Sequence, residues 1–500
     1  MSKRVKVQLN RVEGDLELEL EVEQGVVTNA WCIGTMYRGF EQILIGRAAM
    51  DSLAITPRIC GICSTAHLYA SVLALESMSH ITPPPNAIRV RNICLLAEEI
   101  QSDCRQTFLM FTPDLCHPGY SNLKLYSQIK NQFEDMSGSI YQDAVRFSRD
   151  IIEIVAIFGG QWPHSSYMVP GGVTSLPDTN KVISALSVVD NYINWLETKV
   201  LGVSIDHWNQ IDSLEKLNEL TETGKGAASL FYQFGKNIAL NQIGGGCKLF
   251  MSYGSLIDPD NPEDTLRNRG IYDATTQSFE PLDQEQITED ISYSWYHDDQ
   301  AAPRHPHDGL TQPKYDPDSK RYSWAKAPRY KDQVVQTGPL AQLILDQDAL
   351  LLDMLKKQGG NTLLRQFARI QRQVRSIALL KEQLNGLLQN ITEPTMTHQP
   401  LLDGEGIGMI EAARGSLGHW VKVENGTISG YQVITPTAWN ASPRDQNQQP
   451  GHIESSLIGI DIPDIDDPLS VGHVVRSHDP CLVCTVHLLG SNKKHRYGVI

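Results

Sequence analysis

The sequence predicts an α+β protein with helices at its centre and small sheets toward both ends of the chain. Three observations carry that prediction. Leu16, Leu18, Leu20 and Val22 alternate with Glu17, Glu19, Glu21 and Glu23, the period-two pattern of a strand with one wet face. Val182, Ile183, Leu186, Val189, Ile193, Leu196 and Val200 recur at three- and four-residue steps, as do Leu363, Phe367, Ile370, Val374, Ile377, Leu384 and Leu388, which gives two helical stripes. Near the C-terminus, Trp420-Val-Lys-Val, a Glu424-Asn-Gly turn and Thr427-Ile-Ser-Gly-Tyr return to strand.

In chain order, residues 5–31 read as strands broken by a Gln24-Gly25 turn, and 41–80 and 87–112 as mainly helical. A helix runs from Asp178 to Val200. The stretch 254–335 is rich in Asp, Pro, Tyr and His, with Asp258-Pro-Asp-Asn-Pro and Arg304-His-Pro-His-Asp. It reads as irregular wrapping loops rather than a linker, because Tyr and Trp recur in it. Gly359-Gly360 separates a helix over 338–358 from the second apolar stripe. Residues 405–445 read as strands. No repeat or low-complexity tract interrupts the chain, so 1–500 is expected to form a single unit.

Hydrophobic residues are 41% and charged residues 20% of the 500, which sets aside disordered, collagenous and disulfide-miniprotein classes. The formal charge of −15 repels phosphate backbones and argues against a nucleic-acid role. No apolar run approaches the ~18–20 residues a membrane span needs. Met1-Ser-Lys-Arg-Val-Lys-Val-Gln leads into a strand pattern with no apolar secretory region, so any export address would come from a partner.

Of nine cysteines, Cys32, Cys94, Cys104, Cys116 and Cys247 are scattered and read as buried small hydrophobes. The others form two C-x-x-C pairs, Cys60/Cys63 and Cys481/Cys484. Each pair lets two sulfurs converge on one metal, so the two together offer four soft thiolates. Structural zinc, a redox dithiol and a catalytic transition-metal centre all compete for them. Spacing alone puts zinc first, although zinc pairs ordinarily lie tens of residues apart and these lie near opposite ends of the chain. A redox dithiol needs one motif in a βαβ context, which is not found.

The flanking residues reverse that order. Thr56-Pro-Arg-Ile-Cys60-Gly-Ile-Cys63-Ser-Thr-Ala-His67 and Arg476-Ser-His-Asp479-Pro-Cys481-Leu-Val-Cys484-Thr-Val-His487 closely resemble the two signatures of the large subunit of nickel–iron hydrogenases. Arg11-Val-Glu13-Gly-Asp15 and Arg38-Gly-Phe-Glu41 resemble its opening elements, and Gly160-Gln-Trp-Pro-His164 with Pro170-Gly-Gly-Val its central ones. Tyr322-Ser-Trp-Ala-Lys-Ala-Pro-Arg329, Glu411-Ala-Ala-Arg414-Gly and Pro436-Thr437-Ala-Trp-Asn440 resemble later ones, so the likeness covers essentially the whole chain.

The resemblance implies that family's large-subunit fold: a central helical bundle, peripheral small sheets, and a metal site between the N- and C-terminal segments. It implies heterolytic cleavage of dihydrogen at a nickel–iron centre whose iron carries carbon monoxide and two cyanides. By position, Cys60 and Cys481 would be terminal nickel ligands, and Cys63 and Cys484 would bridge to iron. Glu13 would pass protons outward from the Cys481 sulfur. Arg414 would hang over the open site, anchored by Asp479, while Thr437 and the Ala413–Arg414 backbone would hydrogen-bond the cyanides. Glu41 and His487 would help hold a magnesium ion. His67 would support the site without ligating it. A plain ion pair of Glu41 with Arg38 or Arg47 is the bland alternative for that carboxylate.

Electrons must leave, yet no spare cysteines show iron–sulfur spacing, so an iron–sulfur small subunit is implied as partner. A maturation endopeptidase and nickel-insertion chaperones are implied too. The thirteen residues 488–500 after His487 resemble the extension that such an endopeptidase removes. Hydrogen-sensing members usually lack it, so an enzyme is expected over a sensor. The four cysteines set the chain apart from related structural subunits of respiratory complex I. Asp15 stands where histidine is commonest, Ala413 where proline is, and Ser102 where many members carry an aspartate. These departures point to the cytosolic uptake branch, including cyanobacterial uptake enzymes, and to a cytoplasmic protein held at a membrane, if at all, through partners.

Overall fold

The computed structural model describes residues 3–297, 303–465 and 467–482. Cys484, His487 and the 488–500 extension therefore lie outside the described residues.

Strands β1 (Lys3–Gln8), β2 (Leu16–Glu23) and β3 (Val26–Gly34) form an antiparallel sheet in that order. The alternation dictates its faces. Leu16, Leu18, Leu20 and Val22 are buried, while Glu17 and Glu19 pair with Lys6 and Arg4 on the wet side at 2.5 and 2.9 Å. The buried face packs on the C-terminal region: the Cys32 N–H donates to the Glu454 carboxylate at 2.9 Å, and Val27 N–H donates to Ile460 O at 2.9 Å.

The centre is helical. Helices α1 (Ser64–Ser79), α2 (Pro85–Arg105), α3 (Ser139–Gly159), α4 (Thr179–Trp195) and α5 (Thr362–Gln389) pack around one continuous apolar core. Helix α4 begins where Asp178 caps it, its carboxylate accepting the Lys181 N–H at 3.0 Å, and it continues as a π-helical turn over Leu196–Leu201. The region expected as one helix over 338–358 is two, Pro339–Leu345 and Ala349–Gln358, because Asp348 caps a fresh start with its carboxylate on the Leu351 N–H.

Strands β4 (Leu249–Ile257) and β5 (Thr265–Asp273) correct the expectation of loops over 254–335. They pair antiparallel, with Val335–Gln336 parallel to β4 and Ser278–Glu280 on β5. Ile287–Asp290 pairs with Ala327–Tyr330. Strand β4 is buried on both faces over most of its length, so it shows no alternation to read.

Strands β6 (Gly404–Ala412), β7 (Gly415–Glu424) and β8 (Thr427–Ile434) form the last sheet. It presses onto α1 because β6 carries glycines there. A Cβ on Gly408 would sit 1.9 Å from the Ala70 carbonyl oxygen, and one on Gly406 would sit 2.0 Å from that of Ala74. The strands stop at Ile434 rather than reaching 445. Thr435 then caps a short helix, Pro436–Asn440, by accepting the Ala438 N–H at 3.2 Å. The last described helix is α6 (Leu469–Ser477).

Candidate metal centre

Two loops and the first sheet bring the chain's ends together. Cys60 follows a short 3-10 turn, Thr56–Arg58, and Cys63 is the residue from which α1 starts. The Arg38 guanidinium donates to the Ile59 carbonyl and pins this loop from outside. From the other end of the sequence, α6 ends at Ser477 and Asp479 adopts a left-handed φ of 51° that turns the chain inward. Residues 480–482 then lie alongside Glu13: Leu482 N–H donates to Glu13 O at 2.7 Å, and Glu13 and Cys481 form a parallel bridge.

The result is a close approach of two sulfurs far apart in sequence. Cys60 Sγ and Cys481 Sγ lie 3.5 Å apart, both buried, with Cys63 buried beside them. Among the described residues no three His, Cys, Asp or Glu side chains make a closed ligand set, and the fourth cysteine of the two motifs lies outside them. The donors fit a soft transition metal. Buried anionic sulfur is stabilised by a cation, and Cys63 gains further from the N-terminus of α1.

That cation-rich surrounding is present. The Arg414 Nε lies 3.0 Å from Asp479 Oδ2 and also donates to the Asp479 carbonyl at 3.2 Å. Its Nη1 is buried with no hydrogen-bond partner among the described residues. Burial works against the Arg414 charge, but Asp479 and the sulfurs of Cys481, Cys60 and Cys63 outweigh it and hold the guanidinium protonated. Thr437 Oγ1 accepts the Cys481 N–H at 2.9 Å, which leaves its own hydrogen free to donate into the site.

Glu13 is half-buried beside these groups. Burial raises its pKa above the ordinary carboxyl range and Cys60 adds to that, while Arg414 and Arg105 oppose it. A narrow cleft opens next to it, lined by Ile62, Ser102, Arg105, Arg414 and Asp479 among others.

Glu41 occupies a separate buried cluster. It pairs with Lys326 at 3.2 Å, rather than with Arg38 or Arg47, and accepts the Val433 N–H at 3.0 Å. The same ammonium lies 3.2 Å from Glu289. His67 is buried, and its Nδ1 lies 3.1 Å from His419 Nε2. Burial pushes its pKa down to about 4, so it stays neutral. Of the scattered cysteines, Cys32, Cys94 and Cys104 are buried as expected. Cys116 and Cys247 are partly exposed, and Cys247 Sγ sits 3.0 Å from His452 Nδ1.

Residue patterns did not flag several supports of the site. The Glu98 carboxylate accepts the N–H groups of Thr65 and Ala66 at 2.8 and 3.1 Å, tying down the first turn after Cys63, and burial pushes its pKa up to about 7. Asp103 receives a two-pronged bond from Arg372 at 2.7 and 2.8 Å. The available signal was a run of charged residues, Glu98, Glu99 and Asp103, in a helix that is buried almost throughout.

With the geometry in place, the comparisons with known proteins identify the class. The family model described as nickel-dependent hydrogenase matches residues 38–108 and 115–487. The chain is 32% identical to the periplasmic [NiFeSe] hydrogenase large subunit of Desulfomicrobium baculatum, over 96% of this chain and 94% of that one. It is 30% identical to the uptake hydrogenase large subunit of Rhodobacter capsulatus, over 98% and 96%. The structure of the H2-activated Dm. baculatum [NiFeSe]-hydrogenase superposes with a TM-score of 0.84 at 30% identity, covering 97% of this chain and all of that one. The chain belongs to the nickel-dependent hydrogenase family, whose fold it shares and whose active site is a nickel–iron centre. It is a large, catalytic hydrogenase subunit, an oxidoreductase acting on dihydrogen. Among the described residues, no helix is long and apolar enough to cross a membrane.

Proposed function

We propose that Cys60, Cys63, Cys481 and Cys484 would together hold the nickel–iron centre. The observation that carries this reading is the 3.5 Å approach of the Cys60 and Cys481 sulfurs beneath the unpartnered Nη1 of Arg414. When bound, the centre supplies heterolytic cleavage of dihydrogen, with carbon monoxide and two cyanides on iron.

The chain's own residues supply the rest. Glu13, beside Cys481, takes the released proton and passes it outward. Its raised pKa makes it a better base than an exposed carboxylate without preventing release. Asp479 holds the Arg414 guanidinium over the site, where the free Nη1 polarises the incoming molecule. The Thr437 hydroxyl and the Ala413–Arg414 backbone donate to the cyanides. Glu41, with His487, would hold a magnesium ion. The Lys326 ammonium lies between Glu41 and Glu289, so the three groups together carry one net negative charge for a cation to meet, and a lone carboxylate and histidine with water suit magnesium's reluctance to dehydrate.

The partner is an iron–sulfur small subunit that accepts the electrons, and nickel-insertion chaperones and an endopeptidase acting after His487 complete the protein. Residues 1–487 then form the mature unit. Assignment to the cytosolic uptake branch rests on Asp15 and Ala413. The relatives found include a periplasmic enzyme as well as an uptake enzyme and do not select it. Cell fractionation with the partner co-expressed distinguishes a cytoplasmic from an exported protein. The site itself is tested by Cys484→Ser. A hydroxyl is too hard and too basic to replace a shared thiolate, so both metals and all turnover are expected to be lost. Near-normal activity with a full complement of nickel would overturn the assignment.

A further inference from the structure

The Arg414 side chain is anchored by Asp479, but its backbone is held by something else. Ala413 and Arg414 are the two residues that join β6 to β7, and the register closes at Ala412–Gly415. The orientation of the peptide between them is set by ψ of Ala413 and φ of Arg414, and neither residue type fixes these by itself.

Arg372 on α5 supplies a constraint from outside the hairpin. It is fully buried. Nε and Nη2 meet the two oxygens of Asp103 at 2.7 and 2.8 Å, Nη1 donates to Gln342 Oε1 at 3.1 Å and lies 3.4 Å from Glu99 Oε2, and Nη2 also donates to the Ala413 carbonyl at 2.5 Å. Asp103 is itself buried on α2, so the fork is anchored to two central helices. The other side of the turn is closed by Gly415, where a Cβ would lie 2.5 Å from Gly338 N.

The peptide joining 413 to 414 is planar and trans, so its C=O and N–H point in opposite directions. Holding the Ala413 carbonyl therefore fixes where the Arg414 N–H points. We propose that Arg372, held by Asp103, is a positioning residue. It locks the Ala413–Arg414 peptide plane and so aims the Arg414 N–H into the metal site. The proposal rests on the reading of the site given above.

The test is Arg372→Lys in the complete heterodimer. Lysine keeps a cation opposite Asp103 but cannot reproduce the planar fork. Two readouts are taken: the orientation of the Ala413 carbonyl in crystal structures, and the infrared stretching bands of the diatomic ligands. For Arg372→Lys, nickel and iron are retained, the carbonyl rotates or splits between two orientations, and the cyanide bands shift or broaden. Wild-type carbonyl and bands in Arg372→Lys would overturn the proposal, as would shifted bands with the Ala413 carbonyl unmoved. If Arg372→Lys fails to fold, Asp103→Asn removes only the fork's anchor, and the same two readouts apply with the same outcomes. If the wild type itself lacks diatomic bands, the reading of the metal site fails, while the carbonyl orientation still decides the clamp.

Discussion

Replacing Glu13 by glutamine separates proton handling from metal binding. Glutamine has the same shape, and the backbone contacts of residue 13 with Pro480 and Leu482 do not involve the side chain, so the Cys481 loop stays in place. What disappears is a half-buried group able to take and release a proton, next to Cys60, Arg414 and Cys481. Loss of a positioned acid–base group costs about 10²–10⁴ in rate. At about 1.36 kcal/mol per tenfold, that is about 2.7–5.5 kcal/mol on the barrier. The control is Glu19→Gln on the adjoining strand β2. That carboxylate forms a surface pair with Arg4, the kind worth about 0–1 kcal/mol, and no effect on turnover is expected. The assay is dihydrogen-dependent dye reduction by the purified heterodimer, with nickel and iron measured on the same samples. Turnover of the Glu13→Gln enzyme at wild-type rates with both metals present would refute the reasoning and move the proton route elsewhere, Arg414 being the next candidate.

Asp479→Asn leaves the buried Arg414 guanidinium without its carboxylate. Breaking a buried pair costs about 3–5 kcal/mol, so both a lower unfolding midpoint and slower turnover are expected, and an unchanged midpoint would show that the pair is not needed. Burial pushes Glu411 up to about 8, against the opposing bonds from Ser416 Oγ and Tyr253 N–H, and its Oε2 has no partner. Its folded pKa lies above its unfolded one, so its contribution to stability is full below the ordinary carboxyl range and is lost as pH rises through about 8. Glu411→Gln should flatten that decline in thermal melts, and a pH dependence identical to wild type would contradict a buried neutral carboxyl. Mass spectrometry of active enzyme should find a large subunit ending at His487, and an intact 488–500 segment in fully active, nickel-loaded protein would overturn the processing account. Terminating the gene after His487 should not give active enzyme, because the site closes before nickel arrives; a nickel-loaded, active product would argue otherwise.

Much of the fold was legible where one face is wet. The alternation at 16–23 gave β2 its inner and outer faces, and the stripe from Leu363 gave α5 almost to its ends. It was least legible where both faces are dry. Strand β4 is buried on both sides and showed nothing but punctuation by Asp, Pro and Gly around it. Helix α3 escaped for another reason: Ile140, Ala144, Ile151, Val155 and Phe158 mark a clear apolar face, and the pattern went unread. Within the site, the cysteine pairs stand out because C-x-x-C spacing lets two sulfurs converge, whereas Arg414 and Glu13 are marked only by the family resemblance. Arg372, Asp103 and Glu98 were not legible. They sit on α2 and α5 among apolar neighbours, and a sequence does not say which buried charge faces which across 269 residues. Glu41 shows the same limit, since its partner Lys326 lies far along the chain rather than at the nearby Arg38 or Arg47.

The central claim is that four cysteines from the two ends of the chain hold one nickel–iron centre. Metal analysis combined with infrared spectroscopy of the purified complex of this subunit with its iron–sulfur partner tests it most directly. The account predicts one nickel per large subunit, together with carbon monoxide and cyanide stretching bands that disappear in Cys60→Ser and Cys481→Ser. Zinc in place of nickel, with no such bands, would contradict it.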